Sequence, residues 1–264
     1  MIRIGTALAL AVLVVLAGCG GGAGPDGTAT PTETATPTAT PTQTSTPTAT
    51  PASDGNGTFP GGWSETGVND TGAALESHYR AVLTGPSATV QYRSRIVSAE
   101  SDAAANTTLE MRLDTGGRRL SARIDGTERT REVFFADGTF RQWSVRNETV
   151  VGRSNTTFVR AAQSIDNAVL RSQLLTYRLE LNETVTRGGT TALVYDVVGV
   201  HNDTLSGTYG TATAASGRVV VSDRGRVIDI RTTVTYTRGT VVYHYSQTRI
   251  GGTDVPTPEW LSAA

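Results

Sequence analysis

The feature that most constrains this chain is an alternation of apolar and polar residues that recurs between residues 90 and 250. In one segment, Leu109, Met111 and Leu113 alternate with charged residues. Successive side chains of a strand point to opposite faces of a sheet, so the pattern predicts strands with one face on a core and the other in water. Turns such as Asp137-Gly138 separate the segments and predict hairpins. The chain is therefore expected to form a meandering antiparallel sheet.

Two helices are predicted beside the strands. The first is capped by Asp70 or Thr71, carries an apolar stripe that includes Leu83, and ends before Gly85-Pro86. The second is expected within Phe158–Leu175. With one sheet face charged, the other must be covered by the helices or by a ligand, and long strands make the sheet coil around its cover. We predict an α+β fold: a strongly curved antiparallel sheet of about ten strands, forming a half-open barrel, with about two helices packed on its concave face.

The N-terminus has the layout of an export signal. Arg3 precedes an apolar run, Ile4–Leu16, which is short for a transmembrane helix, and the chain's only cysteine, Cys19, follows Ala17-Gly18. This resembles the lipobox of exported lipoproteins, in which small residues fit the peptidase and the thiol carries the lipid. It predicts a signal peptide over 1–18, lipid on Cys19, and anchoring to the extracellular face of the cell membrane. The alternatives are an ordinary signal peptide or a membrane anchor with a chance cysteine.

Residues 19–63 contain almost nothing that could form a core. A near-repeat of Thr-x-Thr-Pro runs from Thr28 to Pro51. This composition favours extended polyproline geometry and is typical of disordered linkers and O-glycosylated stalks. We predict a tether over 19–63 and a single globular β-rich domain over 64–264.

Asparagine is used in an unusual way. Seven of the eight asparagines open an Asn-x-Thr sequon, and only Asn167 does not. The excess favours N-glycosylation over the alternative that Asn and Thr both gather in turns. Because bacteria rarely N-glycosylate, the sequons, the lipobox and the absence of lysine together indicate an archaeal cell surface. The predicted glycosylation sites are Asn56, Asn69, Asn106, Asn147, Asn155, Asn182 and Asn202.

With these elements in place, the chain resembles a group of haloarchaeal lipoproteins of unassigned function. The resemblance covers the lipobox, the Thr/Pro stalk, the Gly67-Val68 to Leu83 opening, the long strands and the closing Val255–Trp260 segment. The layout is also similar to the lipoprotein carrier LolA and to LppX-type mycobacterial lipoproteins, which are half-open barrels that carry lipids or acyl chains. That second likeness rests on element order, so it implies a fold and a hydrophobic ligand but transfers no site residue.

The sequence offers little chemistry for catalysis. His78, His201 and His244 form no metal-binding pattern, and no nucleophile elbow or phosphate loop is present. His78 and His244 are expected to be structural. We therefore expect no enzyme activity, no metal and no cofactor, although an unrecognised hydrolase stays an alternative. A formal net charge of −1 gives no reason to expect nucleic acid as a partner.

The preferred function is the binding or carriage of a lipid or other hydrophobic small molecule in a cavity between sheet and helices. The alternative is a glycosylated cell-surface module, structural or protein-binding, with a solid core and no ligand. The residues expected to line the cavity are Leu75, Tyr79, Val90, Tyr92, Met111, Phe134, Ile165, Val169, Ile230 and Val234.

Overall fold

The computed structural model describes residues 59–99, 106–126, 129–187, 190–201 and 209–262. These residues fall in one compact unit. The predictions for the signal peptide, Cys19, most of the tether, Asn56 and Asn202 lie outside the described residues.

The described elements begin with a two-stranded hairpin and a helix, followed by long strands that a second helix divides. Their bounds are β1 Trp63–Ser64, β2 Gly67–Val68, α1 Thr71–Leu83, β3 Ala88–Ala99, β4 Thr107–Asp114, β5 Arg119–Asp125, β6 Thr130–Ala136, β7 Thr139–Ser144, β8 Thr149–Asn155, α2 Phe158–Thr176, β9 Tyr177–Arg187, β10 Thr190–Val200, β11 Ala212–Ser222, β12 Val227–Tyr236 and β13 Gly239–Thr248. A short 3-10 helix, Glu259–Leu261, follows.

Within the described residues, the main sheet has eleven strands in the order β8-β7-β6-β5-β4-β3-β13-β12-β11-β10-β9, and every neighbouring pair is antiparallel. It is curved and unclosed, with β8 and β9 as its two edges. The predicted α+β class, with a half-open antiparallel sheet and two helices, is confirmed. The strand missing from the prediction is β8, whose residues are mostly exposed and show no buried alternation.

Both helices begin at side-chain caps. Asp70 accepts a hydrogen bond from the Ala73 amide at 3.0 Å, and Thr157 accepts one from the Arg160 amide at 3.3 Å. The bounds of both helices agree with the sequence prediction. The buried face of α2 includes the charged residue Asp166, whereas the apolar residue Ala168 is exposed.

Two hydrophobic cores lie on opposite faces of the sheet. The main core joins α1 and α2 to the concave face. A smaller one joins Phe134 to Val255 and Trp260, and Trp260 stacks on Trp143 with ring centroids 5.5 Å apart. The C-terminal segment therefore covers part of the face that we expected to meet water. Phe134, which we expected on the concave face, lies on this opposite face, since its neighbours Val133 and Phe135 belong to the main core.

The packed domain begins before residue 64. Trp63 is buried against Tyr195, with ring centroids 5.3 Å apart, and Phe59 packs against the main core. Within the described residues, no helix is long and apolar enough to cross a membrane.

Candidate functional site

Side chains of the sheet and of both helices pack together in the space between them. Large residues such as Tyr177, Tyr245 and Leu170 are fully buried there. Two cavities of about 490 and 520 Å³ occur elsewhere in the described part, one near Arg131 and the other near His244, and neither is lined by a residue of α1 or α2. The predicted apolar cavity is not one of these two.

The structure brings most of the predicted lining residues together, but as core. Leu75, Tyr79, Val90, Met111, Ile230 and Val234 are buried in the main core, Tyr92 and Ile165 are partly buried against it, Val169 is half-buried on α2, and Phe134 is on the opposite face.

A group of polar side chains is buried within this apolar layer. At its centre, Asp166 of α2 accepts a hydrogen bond from the Tyr79 hydroxyl at 2.7 Å and one from the Tyr245 hydroxyl at 3.4 Å. The Asp166 side chain thus joins α1, α2 and β13. Burial raises the pKa of Asp166 to about 6, although the two hydroxyl donors oppose that rise. Near neutral pH, an ionised carboxylate is therefore held in the core.

The group continues from Tyr245 towards the start of β12. The Gln247 amide nitrogen donates to the Tyr245 hydroxyl at 3.1 Å, and Arg226 Nε donates to Gln247 Oε1. Arg226 is only 7% exposed, and burial lowers the pKa of its guanidinium. An arginine and a carboxylate thus share one buried network without direct contact between them. Buried ionic groups of this kind are concentrated at functional sites more than in structural cores.

His78 completes the group, and its hydrogen bonds fix its tautomer. Its Nδ1 atom accepts a hydrogen bond from the Val227 amide at 3.0 Å, so Nδ1 carries no proton. Burial, with a contribution from the charge on Arg226, lowers the pKa of His78 to about 3. The neutral ring therefore carries its single proton on Nε2, which is buried and has no hydrogen-bond partner among the described residues.

Two further side chains in the layer have unpaired polar atoms. Within the described ranges, Arg226 Nη2 and both amide atoms of Gln173 lack partners. Gln173 lies on the buried face of α2, two turns beyond Asp166. An unpaired buried donor costs about 1–3 kcal/mol, and native proteins seldom keep several without a reason. The free N–H groups of His78 and Arg226 can donate to an acceptor oxygen of a ligand, such as that of a carboxylate, phosphate or ester carbonyl.

The whole group of buried polar side chains is called the buried polar layer below. Its members are His78, Tyr79, Asp166, Gln173, Arg226, Tyr245 and Gln247.

Sequence reasoning found only part of this layer. Tyr79 was expected near the ligand. His78 was interpreted as structural, and its Nδ1 accepts from Val227 while its Nε2 is unpaired among the described residues. Asp166 and Gln173 were missed because polar residues are assigned to solvent by default. The available signal was spacing, since both residues share a helical face with Leu170.

The sequon asparagines that the structure describes are all exposed: Asn69, Asn106, Asn147, Asn155 and Asn182. Asn167, the one asparagine outside a sequon, is half-buried on α2. Exposure of this kind is what glycosylation requires, since a glycan cannot be buried. Among the described residues, no group of three or more His, Cys, Asp or Glu is arranged to hold a metal ion.

The fold and its buried polar layer define a class of protein, namely an α+β domain with a half-open antiparallel sheet covered by two helices. The chain belongs to a family of unknown function, DUF7537, which matches residues 3–264. No curated protein matches it.

Several solved structures are similar to the chain at low identity. The LolA superfamily protein of Nitrosomonas europaea is 11% identical, with 70% of this chain and 94% of that chain covered and a TM-score of 0.29. The lipoprotein LppX of Mycobacterium tuberculosis is 15% identical, with coverage of 71% and 97% and a TM-score of 0.31. LprF of Mycobacterium bovis is 10% identical, with coverage of 72% and 96% and a TM-score of 0.34.

Proposed function

We propose that this domain is a binding protein, not an enzyme, and that it takes an amphipathic lipid between the α1–α2 pair and the concave face of the sheet. The buried polar layer receives an oxygen-bearing head group, and the surrounding apolar side chains contact the hydrocarbon. The observation that carries the proposal is the set of unpaired buried atoms of His78, Gln173 and Arg226 within an otherwise apolar layer.

The chemistry of these atoms selects the ligand class. His78 Nε2 and Arg226 Nη2 are both donors, so a wholly apolar molecule would leave them unpaired, whereas a fatty acid or phospholipid supplies acceptor oxygens. Binding to such donors in a dry site is stronger than in water, because the local dielectric constant is low.

Entry of a ligand requires movement of the helices. Since side chains fill the layer, the lipid takes the place of contacts that α1 and α2 make with the sheet. The free energy for displacing them comes from burial of the acyl chain, at about 25 cal/mol per Å² of apolar surface, and from pairing the free donors.

The N-terminal sequence supplies the setting for this function. We propose that the chain is exported, cut before Cys19 and held by lipid on that cysteine at the outer face of the cell membrane. The Thr/Pro-rich residues between Cys19 and Phe59 then space the domain from the bilayer. A lipid-binding domain on such a tether has its ligand in the membrane beside it.

The test uses Gln173→Leu, with Gln163→Leu as the matched control on the same helix. Gln173 is 5% exposed with both amide atoms unpaired among the described residues, whereas Gln163 is half-buried and off the buried face. Removing the unpaired amide is expected to stabilise the protein by about 1–3 kcal/mol. It is also expected to weaken binding of a fluorescent fatty acid by about tenfold, the equivalent of one hydrogen bond.

A Gln173→Leu variant that is more stable but binds the fatty acid more weakly indicates that Gln173 contacts the ligand. A purely structural role would change stability alone. Gln163→Leu should leave both quantities close to those of the wild type. No saturable binding of the fluorescent fatty acid by the wild-type protein would refute the proposal, as would a Gln173→Leu variant that binds as the wild type does.

A second candidate is a cell-surface module without a ligand. The filled space between helices and sheet favours it. In that case the buried polar layer only fixes the packing of α1 and α2, and Gln173→Leu would raise stability with no binding to lose.

A further inference from the structure

The open sheet leaves two edge strands whose backbone groups can pair with another chain. The sheet order ends at β8 on one side and at β9 on the other. Exposed edges of this kind promote association between copies, and proteins commonly block them with charges, bulges or covering segments. Exposed apolar side chains on both strands further favour association between copies, since Val151 of β8 is 52% exposed and Val185 of β9 is 38% exposed.

The β9 edge is covered over only part of its length. The Leu181 amide donates to the Glu65 carbonyl at 2.8 Å, so the segment that joins β1 to β2 takes up a backbone group of this edge. Gly67 of β2 packs so closely against β9 that a Cβ atom at residue 67 would lie 2.5 Å from Leu179 Cβ. From Asn182 to Thr186 the strand is exposed, and Asn182 is a sequon asparagine. The sequon therefore begins where the described cover ends.

The β8 edge has a sequon at each end. Asn147 precedes the strand by two residues and Asn155 is its last residue, and both side chains are exposed. Their sequon threonines, Thr149 and Thr157, are exposed as well. Thus three of the five described sequon asparagines lie on the two edges.

We propose that Asn147, Asn155 and Asn182 carry asparagine-linked oligosaccharides, and that these glycans stop the open edges from pairing with a second copy of this chain. A hydrated glycan beside an edge strand occupies the space that an incoming strand needs. This role depends on export of the chain but not on its ligand.

The modification is compatible with the contacts of these asparagines. The side-chain nitrogen attacks the anomeric carbon of a lipid-phosphate-linked oligosaccharide. The new C–N bond replaces the bond from that carbon to the phosphate, which leaves with the electron pair, and one amide proton passes to base. Asn182 Nδ2 donates one hydrogen to Asp196 Oδ2 at 2.8 Å, and its other hydrogen is available for replacement.

The experiment compares two sets of variants of the full chain, produced in a host with asparagine-linked glycosylation and extracted in mild detergent. The edge set is Asn147→Gln, Asn155→Gln and Asn182→Gln together. The control set is Asn106→Gln alone, which removes an exposed sequon beside the interior strand β4. Glycopeptide mass spectrometry measures occupancy, and light scattering measures the protein mass per particle.

The edge variant is expected to shift from the mass of one chain to that of two or more, while the control set stays with the wild type. Thr149→Ala with Thr184→Ala provides a second route, because it removes two of the edge sequons and keeps every asparagine. Unmodified asparagines at all three edge sites in the wild-type protein would overturn the proposal. An edge variant that folds and stays monomeric like the control would also overturn it.

Disulfide cross-linking between introduced cysteines identifies the strand at which two copies of the chain pair. Val151→Cys places a thiol on the β8 edge, and Val97→Cys, 55% exposed on the interior strand β3, is its control. Disulfide-linked dimers through residue 151 are expected only when the edge sequons are removed. Equal dimer formation at residue 97 would contradict pairing at the edge.

Discussion

Replacing Asp166 with asparagine tests the electrostatics of the buried polar layer. The folded-state pKa of Asp166 is raised from 3.8 to about 6 by burial. A group whose pKa is raised in the folded state contributes stability that is fully present below its unfolded pKa and is lost as pH rises through the folded pKa. At 1.36 kcal/mol per pKa unit, the loss for Asp166 is about 3 kcal/mol between pH 4 and 7.

His78 has the opposite dependence over nearly the same range. Its pKa is lowered from 6.5 to about 3 in the folded state. Its contribution is therefore present above pH 6.5 and is lost as pH falls towards 3, by about 5 kcal/mol in all. Between pH 4 and 6 the two groups nearly cancel, so together they give the wild-type protein little pH dependence there.

Asp166→Asn removes one of these two opposed contributions. The free energy of unfolding of the variant, measured by urea denaturation, should rise with pH by about 1.4 kcal/mol per unit between pH 4 and 6. The difference between variant and wild type should grow in favour of the variant by about 3 kcal/mol from pH 4 to 7. Surface carboxylates cancel in this difference because both proteins contain them. A difference that does not change with pH would show that the carboxylate is not held at a raised pKa in the core.

Three further substitutions test the packing and the anchor. Leu170→Ala should lower the free energy of unfolding by about 2–5 kcal/mol because Leu170 is fully buried, whereas Leu175→Ala, at a 45% exposed site on the same helix, should change it by under about 0.5 kcal/mol. Equal effects in urea denaturation would contradict the burial of α2. Trp260→Ala should cost about 3 kcal/mol by removing the stack on Trp143, and no change in the melting temperature would contradict the cover of the outer face. Cys19→Ser should abolish partitioning into the detergent phase, and wild-type partitioning would refute the lipoprotein proposal.

The parts of the fold that could be predicted are those in which the local sequence pattern and the tertiary packing favour the same structure. The apolar–polar alternation of β4 is sufficient to predict a strand, and the cap at Asp70 is sufficient to predict the start of α1. β8 was missed because an exposed edge strand has no buried face to produce alternation. The second core was missed because the contact of Trp260 with Trp143 joins parts of the chain far apart in sequence.

The candidate site was harder to predict for a related reason. Whether Asp166 or Gln173 lies inside depends on what packs against α2, and hydrophobic pattern places polar residues outside. The unpaired state of Gln173 is visible only when all of its neighbours in the described structure are known. The size of any cavity beside α1 and α2 is also beyond prediction, since the sequence shows which side chains are apolar but not how completely they interdigitate.

The proposed function depends on an amphipathic lipid held between the helices and the sheet. The most direct measurement is native mass spectrometry of the purified full chain, followed by organic extraction and identification of what is released. We predict a bound species that dissociates on extraction and carries both an acyl chain and oxygen acceptors, besides the lipid covalently attached at Cys19. A protein that carries only its covalent lipid, and stays free of ligand after incubation with fatty acid or phospholipid, would contradict the account.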